Sequence, residues 1–501
     1  MAEVIIFVPC PDRSSPRHVV NYGALAVATA LRQHGVKVIY VDGASGRLDQ
    51  ICQRLEPELR DCVFFGVSSF TAQVGEAVRV SEFVKSVRPE LPVLWGGIHA
   101  SLLPVETARD PAVDYVCVGE GDYTAVQFFD QLVSGDPDMT RVSNLVYYRG
   151  DELVRTPVGR FYDMQEQTRL AWELLDLERY VVHNRFDGNC PSLGIPVARG
   201  CPHRCSFCVN VALKEYGYTH YRYRRPEHVE AELAYLKERL GIGFSFIRDE
   251  VFFVNTEYSR RIAEVFHRQG VLWGANLRAN YFKPGRLTEE FLREMRGLGM
   301  LNGAMGVESG SPRVLAEVVH KDITLEQVYH AMDTMGAAGI RPFVSFVIGF
   351  PTEIEAETRQ TIDLAVSLKR RNPATVVAGI YLLRPYPGAP IYDLCLQHGL
   401  TGPRTLREWG GLELTRQGGF ATARMPWLQG RSRLYAVSEY TTTSLLDLER
   451  SAGLLLNVFI LLARARRALG FYGLAWELAI QRRVRAMSFR VSALFRRLTG
   501  R

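Results

Sequence analysis

Short apolar segments that alternate with helix-length segments constrain this chain more than any other feature of its sequence. In residues 1–140, β-branched runs that are apolar almost throughout are separated by stretches long enough for a helix. Strands that are buried on both faces have this composition, because helical crossovers cover both sides of a parallel sheet. We predict a doubly wound, Rossmann-like α/β domain with strands at residues 4–8, 36–42, 63–69, 92–97 and 114–121.

The alternation resumes in residues 191–400, after a connector at 141–190 that contains a short hairpin at 145–154. The pattern predicts strands at residues 195–199, 244–249, 271–276, 302–307, 343–349 and 377–382, with helices between them. Six strand–helix units, against eight in a full TIM barrel, predict a partial (β/α)6 barrel that is open on one side. In both kinds of fold, ligands bind at the carboxyl ends of the strands.

Three predicted strands of the first domain end in turns of small residues. The turns are Ser68-Ser69-Phe70-Thr71, Gly96-Gly97-Ile98-His99 and Gly119-Glu120-Gly121-Asp122. Any one of them could be only a tight turn, but three at the same sheet edge favour a broad, glycine-floored ligand platform. None matches the G-x-G-x-x-G pattern at the first strand, so an ordinary dinucleotide site is disfavoured.

Three of the nine cysteines lie within eight positions, in Arg199-Gly200-Cys201-Pro202-His203-Arg204-Cys205-Ser206-Phe207-Cys208. Thiolates are soft ligands that suit iron–sulfur clusters and zinc. Three of them can hold three irons of a [4Fe–4S] cluster and leave the fourth iron open, whereas a structural zinc site takes four ligands. Zinc completed by His203 or Cys190 is the alternative. The position of the loop after the first predicted barrel strand, at the catalytic face, favours the cluster.

Charged residues follow several further barrel strands. Asp249 and Glu250 end the second strand, Arg278 lies just past the third, and Glu308 ends the fourth. A guanidinium at this edge can grip a carboxylate bidentately. Taken singly, each carboxylate is more often a helix cap or a surface residue. Their placement at successive strand ends instead favours a ligand site.

Together these motifs resemble the cobalamin (B12)-dependent radical S-adenosylmethionine enzymes, in particular their class B methyltransferases. The C-x-x-x-C-x-x-C spacing, with Phe207 before the last cysteine, is similar to the signature of the superfamily. Residues 63–129 (VFFGVSSFTAQ…VLWGGIHASLLP…DYVCVGEGDYT) resemble its cobalamin-binding domain. GVESGSPRVL, HKDITLEQV and RPYPGAPIYD resemble its barrel, so the similarity extends over residues 1 to about 395.

The resemblance implies a [4Fe–4S] cluster, S-adenosylmethionine and cobalamin, with the cluster on Cys201, Cys205 and Cys208. The S-adenosylmethionine contacts that it implies are Phe207, Asp249, Glu250, Arg278, Glu308, Ser345 and Gly349. The cobalamin contacts that it implies are Ser68, Ser69, Thr71, Gly96, Gly97, His99, Gly119, Glu120 and Gly121. No D-x-H-x-x-G segment occurs. We therefore expect base-off cobalamin without a histidine ligand, and we expect His99 to touch the corrin or its tail.

In this family the reduced cluster passes one electron to S-adenosylmethionine, and the resulting 5′-deoxyadenosyl radical abstracts hydrogen from the substrate, which then takes a methyl group from methylcobalamin. A second S-adenosylmethionine regenerates the methylcobalamin. The resemblance therefore implies methylation of an unactivated carbon in a small-molecule or lipid-like substrate. Oxidative cyclisation or rearrangement without methyl transfer is the alternative, because it uses the same cofactors. A non-catalytic corrinoid or zinc-binding protein is a remote third reading.

The reaction requires both domains to face one cavity, which we predict between the Gly96/Gly119 edge and the Cys201 loop. Tyr381, Arg384 and Tyr386, after the sixth barrel strand, are candidate substrate contacts, although packing explains them equally well.

Residues 401–501 form a basic, mostly helical C-terminal region, with ten arginines and one acidic residue, Glu477, between Ser451 and Arg501. Arginines mixed with large apolar residues predict either a solvated helix pair on the barrel or peripheral contact of 451–501 with an anionic membrane surface. No signal peptide is evident, and no apolar run reaches the roughly 20 residues of a membrane span. We expect a cytoplasmic protein, peripheral to a membrane at most, with an external reductant of the flavodoxin or ferredoxin type. A net charge of +6 is too small to imply nucleic acid.

Overall fold

Two sheets carry the fold of this protein in a computed structural model. The structure describes residues 3–10, 19–183, 185–411, 425–429, 433–445, 454–472, 474, 476–478 and 480.

The first sheet has the strand order β2-β1-β3-β4-β5-β6-β7. Its strands are β1 (Glu3–Val8), β2 (Lys37–Asp42), β3 (Cys62–Ser68), β4 (Val93–Gly96), β5 (Tyr115–Cys117), β6 (Leu145–Arg149) and β7 (Glu152–Arg155). The first five strands are parallel, as predicted, and the strand order reverses between β1 and β3, where doubly wound sheets bind ligands. The predicted hairpin of the connector is β6–β7, and it extends this sheet by two antiparallel strands.

Helices cover both faces of the first sheet, which explains why its strands are apolar throughout. In β1, Ile5 and Phe7 belong to the core of one face, whereas Val4 and Ile6 belong to the core of the other. Successive side chains of a strand point to opposite faces, so every position of β1 is buried. The helices of this domain are Tyr22–Gln33, Leu48–Glu58, Val74–Val87, Gly97–Leu102, Pro104–Ala108 and Asp122–Val133.

The second sheet has the order β16-β15-β14-β13-β12-β9-β8 and curls into a half-barrel, which confirms the predicted partial barrel. Its strands are β8 (Val182–His183), β9 (Pro191–Ser192), β12 (Phe244–Phe246), β13 (Leu272–Leu277), β14 (Met300–Glu308), β15 (Arg341–Ile348) and β16 (Val376–Leu382). Its helices are Val209–Ala212, Pro226–Leu240, Thr256–Arg268, Glu289–Gly297, Leu325–Ala337, Glu355–Arg371 and Pro390–Gln397. Asn255, Thr288 and Thr324 cap three of these helices through side-chain oxygens that accept backbone N–H groups.

The segment predicted as the first barrel strand, 195–199, differs from the prediction. Ile195 makes a single parallel bridge to Ile247, and Ala198–Arg199 (β10) pairs antiparallel with Arg222–Tyr223 (β11). Pro196 has no N–H group to continue a ladder, and the carboxylate of Asp249 accepts the N–H groups of the next two residues. The chain therefore leaves the sheet before it reaches the cysteines.

The C-terminal region packs on both domains. The helix Leu406–Gly410 lies against Val74–Val87 of the first domain, where a Cβ atom on Gly75 would lie 2.5 Å from the carbonyl oxygen of Gly410. The helix Arg433–Ser444 packs on β16 and on the helix Leu454–Leu469. Among the described helices, none is both long and apolar enough to cross a membrane. Most of the predicted membrane-contact segment, including 481–501, lies outside the described residues.

Candidate active site

The carboxyl ends of the two sheets face each other across a cavity of about 590 Å³. The first domain contributes the ends of β3, β4 and β5, and the barrel contributes the cysteine loop and the residues after β12. Among the lining residues are Ser68, Ser69, Gly96, Gly97, Gly119, Glu120, Gly121, Arg199, Gly200, Cys208, Asn210, Tyr218, Arg248 and Glu250. The predicted reaction cavity between the Gly96/Gly119 edge and the cysteine loop thus has a physical counterpart.

Two glycines of the first-domain edge are required by geometry. Gly97 has φ +85°, and a Cβ atom there would lie 2.8 Å from both the backbone N and the backbone O of Ser69. Gly119 has φ +86°, and a Cβ atom there would lie 2.8 Å from the Cβ of Tyr216. L-residues with side chains rarely adopt this conformation, and the space is already filled. The glycines therefore let the two strand ends approach each other and the barrel closely.

His99 and Thr71 lie outside the cavity lining. The imidazole Nδ1 of His99 is 3.2 Å from the hydroxyl of Thr71, and its ring meets the edge of Trp409 with centroids 5.7 Å apart. Burial lowers the pKa of His99 to about 3. The indole comes from the C-terminal helix Leu406–Gly410, so nothing in the first 140 residues could reveal this packing. In the structure the ring of His99 is buried and neutral, and its contact with the corrin or its tail stays a prediction.

Backbone hydrogen bonds from three distant segments fix the cysteine loop. The N–H of Cys201 donates to Tyr218 O (3.0 Å), and the N–H of Cys208 donates to Cys205 O (3.0 Å). The N–H of Ser206 donates to Val319 O (2.9 Å), and Ser206 O accepts from the N–H of Ile391 (2.9 Å). Phe207 packs in the apolar cluster around Val314, Val318 and Phe350. The loop is therefore a fixed scaffold.

The three cysteines are free thiols in a protected environment. Burial raises the pKa of Cys208 to about 11, and burial also raises the pKa of Cys201 although the charge of Arg278 acts to lower it. Arg278 Nη1 lies 3.4 Å from Cys205 Sγ and supplies positive charge where thiolates would form. Among the described residues, no three His, Cys, Asp or Glu side chains are arranged so that they could bind a single metal ion together. A [4Fe–4S] cluster needs a different arrangement, because each cysteine binds a different iron.

Cys190 and His203, the candidates for a fourth zinc ligand, have other partners. The thiol of Cys190 donates to Asp187 O (2.9 Å), and it packs beside Gly243. The imidazole Nε2 of His203 is 2.6 Å from the hydroxyl of Tyr281.

The two carboxylates after β12 occupy different environments. Asp249 is buried, and its Oδ1 accepts the N–H groups of Val197 (2.8 Å) and Ala198 (2.9 Å). It supports the segment that leads into the cysteine loop and does not line the cavity. Glu250 does line the cavity beside Asn210, and desolvation by the surrounding protein raises the pKa of its carboxyl. Of the two predicted S-adenosylmethionine contacts, Glu250 faces ligand space and Asp249 positions backbone.

Glu308 ends β14 in a strained conformation with φ +69°, and its Oε1 accepts from Lys321 Nζ at 2.7 Å. Both side chains are less than a tenth exposed. A Cβ atom on Gly306 would overlap the Glu308 carboxylate, so the glycine makes room for it. Strain of this kind persists where the surroundings over-determine it, typically at ligand sites. Lys321 escaped the sequence-based assignment, although it lies in the HKDITLEQV stretch that resembles the family barrel.

Three predicted S-adenosylmethionine contacts have mixed placements. Arg278 is buried, and its guanidinium is engaged by Cys205, by Asn280 and by the carbonyl of Lys321. Ser345 lines a second cavity inside the barrel. Gly349 has φ +85°, its N–H donates to Glu353, and its carbonyl accepts from Trp427 Nε1 (3.0 Å). Their roles toward S-adenosylmethionine stay predictions.

Two ion pairs join the domains beside the cavity, and the sequence did not single them out. Arg199 donates to Asp122 through Nη1 (2.8 Å) and Nη2 (3.0 Å). Arg222 donates to Glu120 through Nη1 (2.9 Å) and Nη2 (2.7 Å). Glu120, predicted to contact cobalamin, thus also anchors the barrel. Glu120 and Asp122 come from the G-E-G-D turn and Arg199 from the R-G-C motif, whereas Arg222 lies in β11, outside the motifs.

Comparison with known proteins agrees with this geometry. Residues 13–129 match the family model of the B12 binding domain, and residues 195–365 match that of the radical SAM superfamily. The first match includes the whole glycine edge and ends in the helix Asp122–Val133, and the second begins just before the cysteine loop. The chain belongs to the cobalamin-dependent radical S-adenosylmethionine enzymes.

Relatives of this family align over most of the chain. An uncharacterized methyltransferase of Pyrococcus horikoshii is 27% identical over 411 residues, which cover 79% of this chain and 84% of that protein. The anaerobic magnesium-protoporphyrin IX monomethyl ester cyclase of Rubrivivax gelatinosus is 26% identical over 366 residues, which cover 71% and 62%. The structure of the radical S-adenosylmethionine methyltransferase TsrM of Kitasatospora setae, with cobalamin and a [4Fe-4S] cluster bound, has the same fold. It superposes with a TM-score of 0.68 at 18% identity, over 93% of this chain and 100% of that one.

A radical S-adenosylmethionine enzyme with a B12 domain uses a [4Fe–4S] cluster, S-adenosylmethionine and cobalamin, and the residues present fit these groups. Three free thiols on a fixed loop suit the cluster. The hydroxyl of Ser69 is buried in the glycine edge without a hydrogen-bond partner and lines the cavity, as a cobalamin contact would. The absence of a histidine ligand to cobalt stays a prediction, and no histidine is among the residues that line this cavity.

Tyr381, Arg384 and Tyr386 line neither cavity. The ring of Tyr381 folds back over Gly379 and its hydroxyl donates to Ala378 O (3.2 Å). All three side chains are exposed: Tyr381 lies in β16, and Arg384 and Tyr386 lie between β16 and the helix Pro390–Gln397. A predicted substrate contact at these positions has no support in this geometry.

Proposed function

We propose that this enzyme methylates an unactivated carbon atom of a small-molecule substrate held between its two domains. The observation that carries the proposal is the single cavity lined by the glycine edge of the cobalamin domain and by Cys208 and Glu250 of the barrel. When bound, the cofactors supply a one-electron cleavage of S-adenosylmethionine and a methyl group that a carbon radical can accept. A carbon without a nucleophilic electron pair requires such a route.

The protein's own residues position and shield these reagents. The two interdomain ion pairs fix the distance between the glycine edge and the cysteine loop. Apolar residues such as Val20, Val27 and Leu94 form part of the cavity wall and exclude water from a radical reaction. Glu250 and Asn210 offer polar contacts on the barrel side of this cavity.

The test follows the label of methyl-labelled S-adenosylmethionine in the reduced, reconstituted holoenzyme. Methyl transfer predicts labelled methylcobalamin and S-adenosylhomocysteine even before a substrate is added. Replacing Cys208 with alanine should abolish 5′-deoxyadenosine formation, because the cluster loses one ligand. Formation of 5′-deoxyadenosine with no label on cobalamin or product would contradict the methyltransferase function.

Cyclisation or rearrangement without methyl transfer is the second candidate. The observation in its favour is the similarity to the Rubrivivax gelatinosus cyclase over 71% of this chain. The same experiment separates the two, because this candidate predicts 5′-deoxyadenosine without methyl transfer.

The external electron donor is proposed to dock at the outer side of the cysteine loop. Pro202 and Arg204 are exposed there, and Arg204 pairs at the surface with Asp322 (3.0 Å). A flavodoxin or ferredoxin is acidic, so Arg204→Glu should slow reduction by such a donor and leave reduction by dithionite unchanged. Equal rates with both reductants would place the docking site elsewhere.

Peripheral membrane contact through the C-terminal region is a further proposal. Side chains exposed there include Leu461 (58%) and Trp476 (66%), next to several arginines. Basic and large apolar residues together favour an anionic membrane surface. In flotation with vesicles of phosphatidylserine and phosphatidylcholine, Leu461→Ser/Trp476→Ser should bind less than the wild type. Flotation of neither protein would remove the membrane proposal and, with it, the support for a lipid-like substrate.

A further inference from the structure

A second cavity, of about 430 Å³, lies inside the curled barrel sheet and adjoins the interdomain cavity. Val20, Tyr22 and Arg248 line both cavities and therefore mark their junction. Arg248 is the charged member of the three. A ligand that reaches from the cobalamin domain into the barrel passes this guanidinium.

The neighbours of Arg248 hold its stem in place. The backbone N–H of Arg248 donates to Ile195 O (2.9 Å), and the guanidinium lies 5.7 Å from the ring centroid of Phe246. Gly194 lies opposite, and a Cβ atom there would overlap the side chain of Arg248. The hydroxyl of Tyr22 donates to Gly194 O (2.7 Å) and lies beside the guanidinium. The arginine therefore has a built position, with its charged end exposed to the cavities.

The charge of Arg248 is not neutralised by an ion pair with any carboxylate of the described residues, in contrast to Arg199 and Arg222. Glu250 and Asp187 are the acidic residues that line the two cavities and form no ion pair with another described residue. Burial raises the pKa of Asp187, while the charges of Arg248 and Arg341 act to lower it. Asp187 therefore interacts with Arg248 through its charge but forms no ion pair with it. A guanidinium that opens onto both cavities and has no ion-pair partner among the described residues favours an anionic ligand, because carboxylates and phosphates accept two parallel N–H bonds from it.

Asn302 provides an independent sign of a ligand deeper in the barrel cavity. It is 2% exposed, and its Nδ2 donates to Phe186 O (3.0 Å) and Asp187 Oδ1 (3.3 Å). Two acceptors on one side fix the orientation of the amide. Asn302 lines this cavity, and its Oδ1 is buried without a hydrogen-bond partner among the described residues. A buried acceptor of this kind requires a donor, and a hydroxyl or N–H group of a ligand would supply it.

We propose that the substrate is an anionic small molecule whose carboxylate or phosphate binds Arg248 at the junction of the two cavities and whose hydroxyl or N–H group donates to Asn302 Oδ1. This inference rests on the methyl-transfer function proposed above and names its substrate class. The rings of Phe244, Phe246 and Phe343 line the same cavity and provide an apolar wall for the carbon skeleton. Arg248 is then a specificity-determining residue of the reaction.

The test supplies the reduced holoenzyme and methyl-labelled S-adenosylmethionine with a small-molecule cell extract that anion exchange has separated into anionic and non-anionic pools. We expect labelled product from the anionic pool only. Arg248→Met should lower its rate of formation about 10- to 100-fold, as for a lost charge-assisted hydrogen bond, and Arg248→Lys should restore part of it. Arg239→Met, which removes an exposed arginine outside both cavities, serves as the control. Phosphatase treatment of the anionic pool distinguishes a phosphate from a carboxylate.

Other results would overturn this inference, and they can be told apart from a failure of the proposed methyl transfer. Labelled product from the non-anionic pool alone would sustain methyl transfer and reject the anionic substrate. If Arg248→Met prevents cobalamin binding, or stops 5′-deoxyadenosine formation before any extract is added, Arg248 contributes to cofactor binding. That result would reject its proposed role in substrate binding. Should no pool yield labelled product, equilibrium dialysis of radiolabelled phosphate and acetate decides. Equal retention by the wild-type and Arg248→Met holoenzymes would then reject the site.

Discussion

Replacement of Arg199 by methionine should loosen the cobalamin domain from the barrel. Its guanidinium makes two hydrogen bonds to Asp122 (2.8 and 3.0 Å) and one to Gln167 (3.2 Å), and it lies 3.6 Å from Glu120. The side chain of Asp122 is 4% exposed. Burial alone would lower the pKa of Arg199, but the charges of Asp122 and Glu120 outweigh it and raise the pKa above its ordinary value.

The magnitude follows from the charge left behind. Removal of one partner of a buried ion pair costs about 3–5 kcal/mol, because the remaining ion is desolvated without compensation. Asp122 would keep no cation within hydrogen-bond distance, so we expect a loss near the lower end of that range, given that Arg199 itself is 20% exposed. About 3 kcal/mol corresponds to a factor of roughly 100 in the equilibrium between docked and separated domains.

Urea unfolding and small-angle scattering of the reconstituted enzyme measure the two consequences. Arg199→Met should lower the unfolding midpoint of the interface and increase the radius of gyration, and it should slow methyl transfer to cobalamin. The double variant Arg199→Met/Asp122→Asn should recover much of the stability, since no charge remains buried. A change of less than about 0.5 kcal/mol in Arg199→Met, the usual size of a surface substitution, would refute the reasoning.

Three further predictions use other features. Gly97→Ala should cost more stability than Gly150→Ala. Both positions have positive φ, which costs a side-chain-bearing residue about 1–2 kcal/mol, but only the new Cβ at Gly97 meets backbone. Gly97→Ala should also lower the amount of bound cobalamin measured by absorbance, and equal effects of the two substitutions would contradict this prediction. Glu308→Gln should cost about 3 kcal/mol in urea unfolding, and Glu308→Gln/Lys321→Met should regain stability without regaining S-adenosylmethionine cleavage; recovery of both would make the pair purely structural. His99 has a folded-state pKa near 3, below its ordinary 6.5, so the unfolded state binds the proton first and stability falls as pH drops below 6.5. At pH 5.5 the wild type should lose about 1.4 kcal/mol relative to its stability at pH 7.5, beyond any loss in His99→Phe; parallel losses would be inconsistent with the buried neutral ring.

Much of the fold was accessible from the sequence, because its signals are local. Apolar runs of five to eight residues separated by helix-length segments define parallel strands with crossovers, and most strands of both sheets appear where these runs lie. The short strands β8 and β9 lie outside the predicted runs. Among the predicted strands the exception is 195–199, where Pro196 and the carboxylate of Asp249 redirect the backbone. The loss of this strand depends on a side chain some 50 residues away, which strand patterning does not register.

The sequence by itself determined the three cysteines, the glycine edge and the order of the two domains, since covalent spacing holds ligands on one loop and glycines on one turn. The tertiary structure decided which of the remaining polar residues meet ligand space. Arg278 is engaged by Cys205 and Lys321, whereas Arg248 stands exposed between two cavities. His99 is neutral because it is buried, and one of the residues packed against it, Trp409, comes from the C-terminal helix Leu406–Gly410. The physical reason is that charge, burial and partnership of a side chain depend on atoms within a few ångströms, and packing brings most of those atoms from distant parts of the chain.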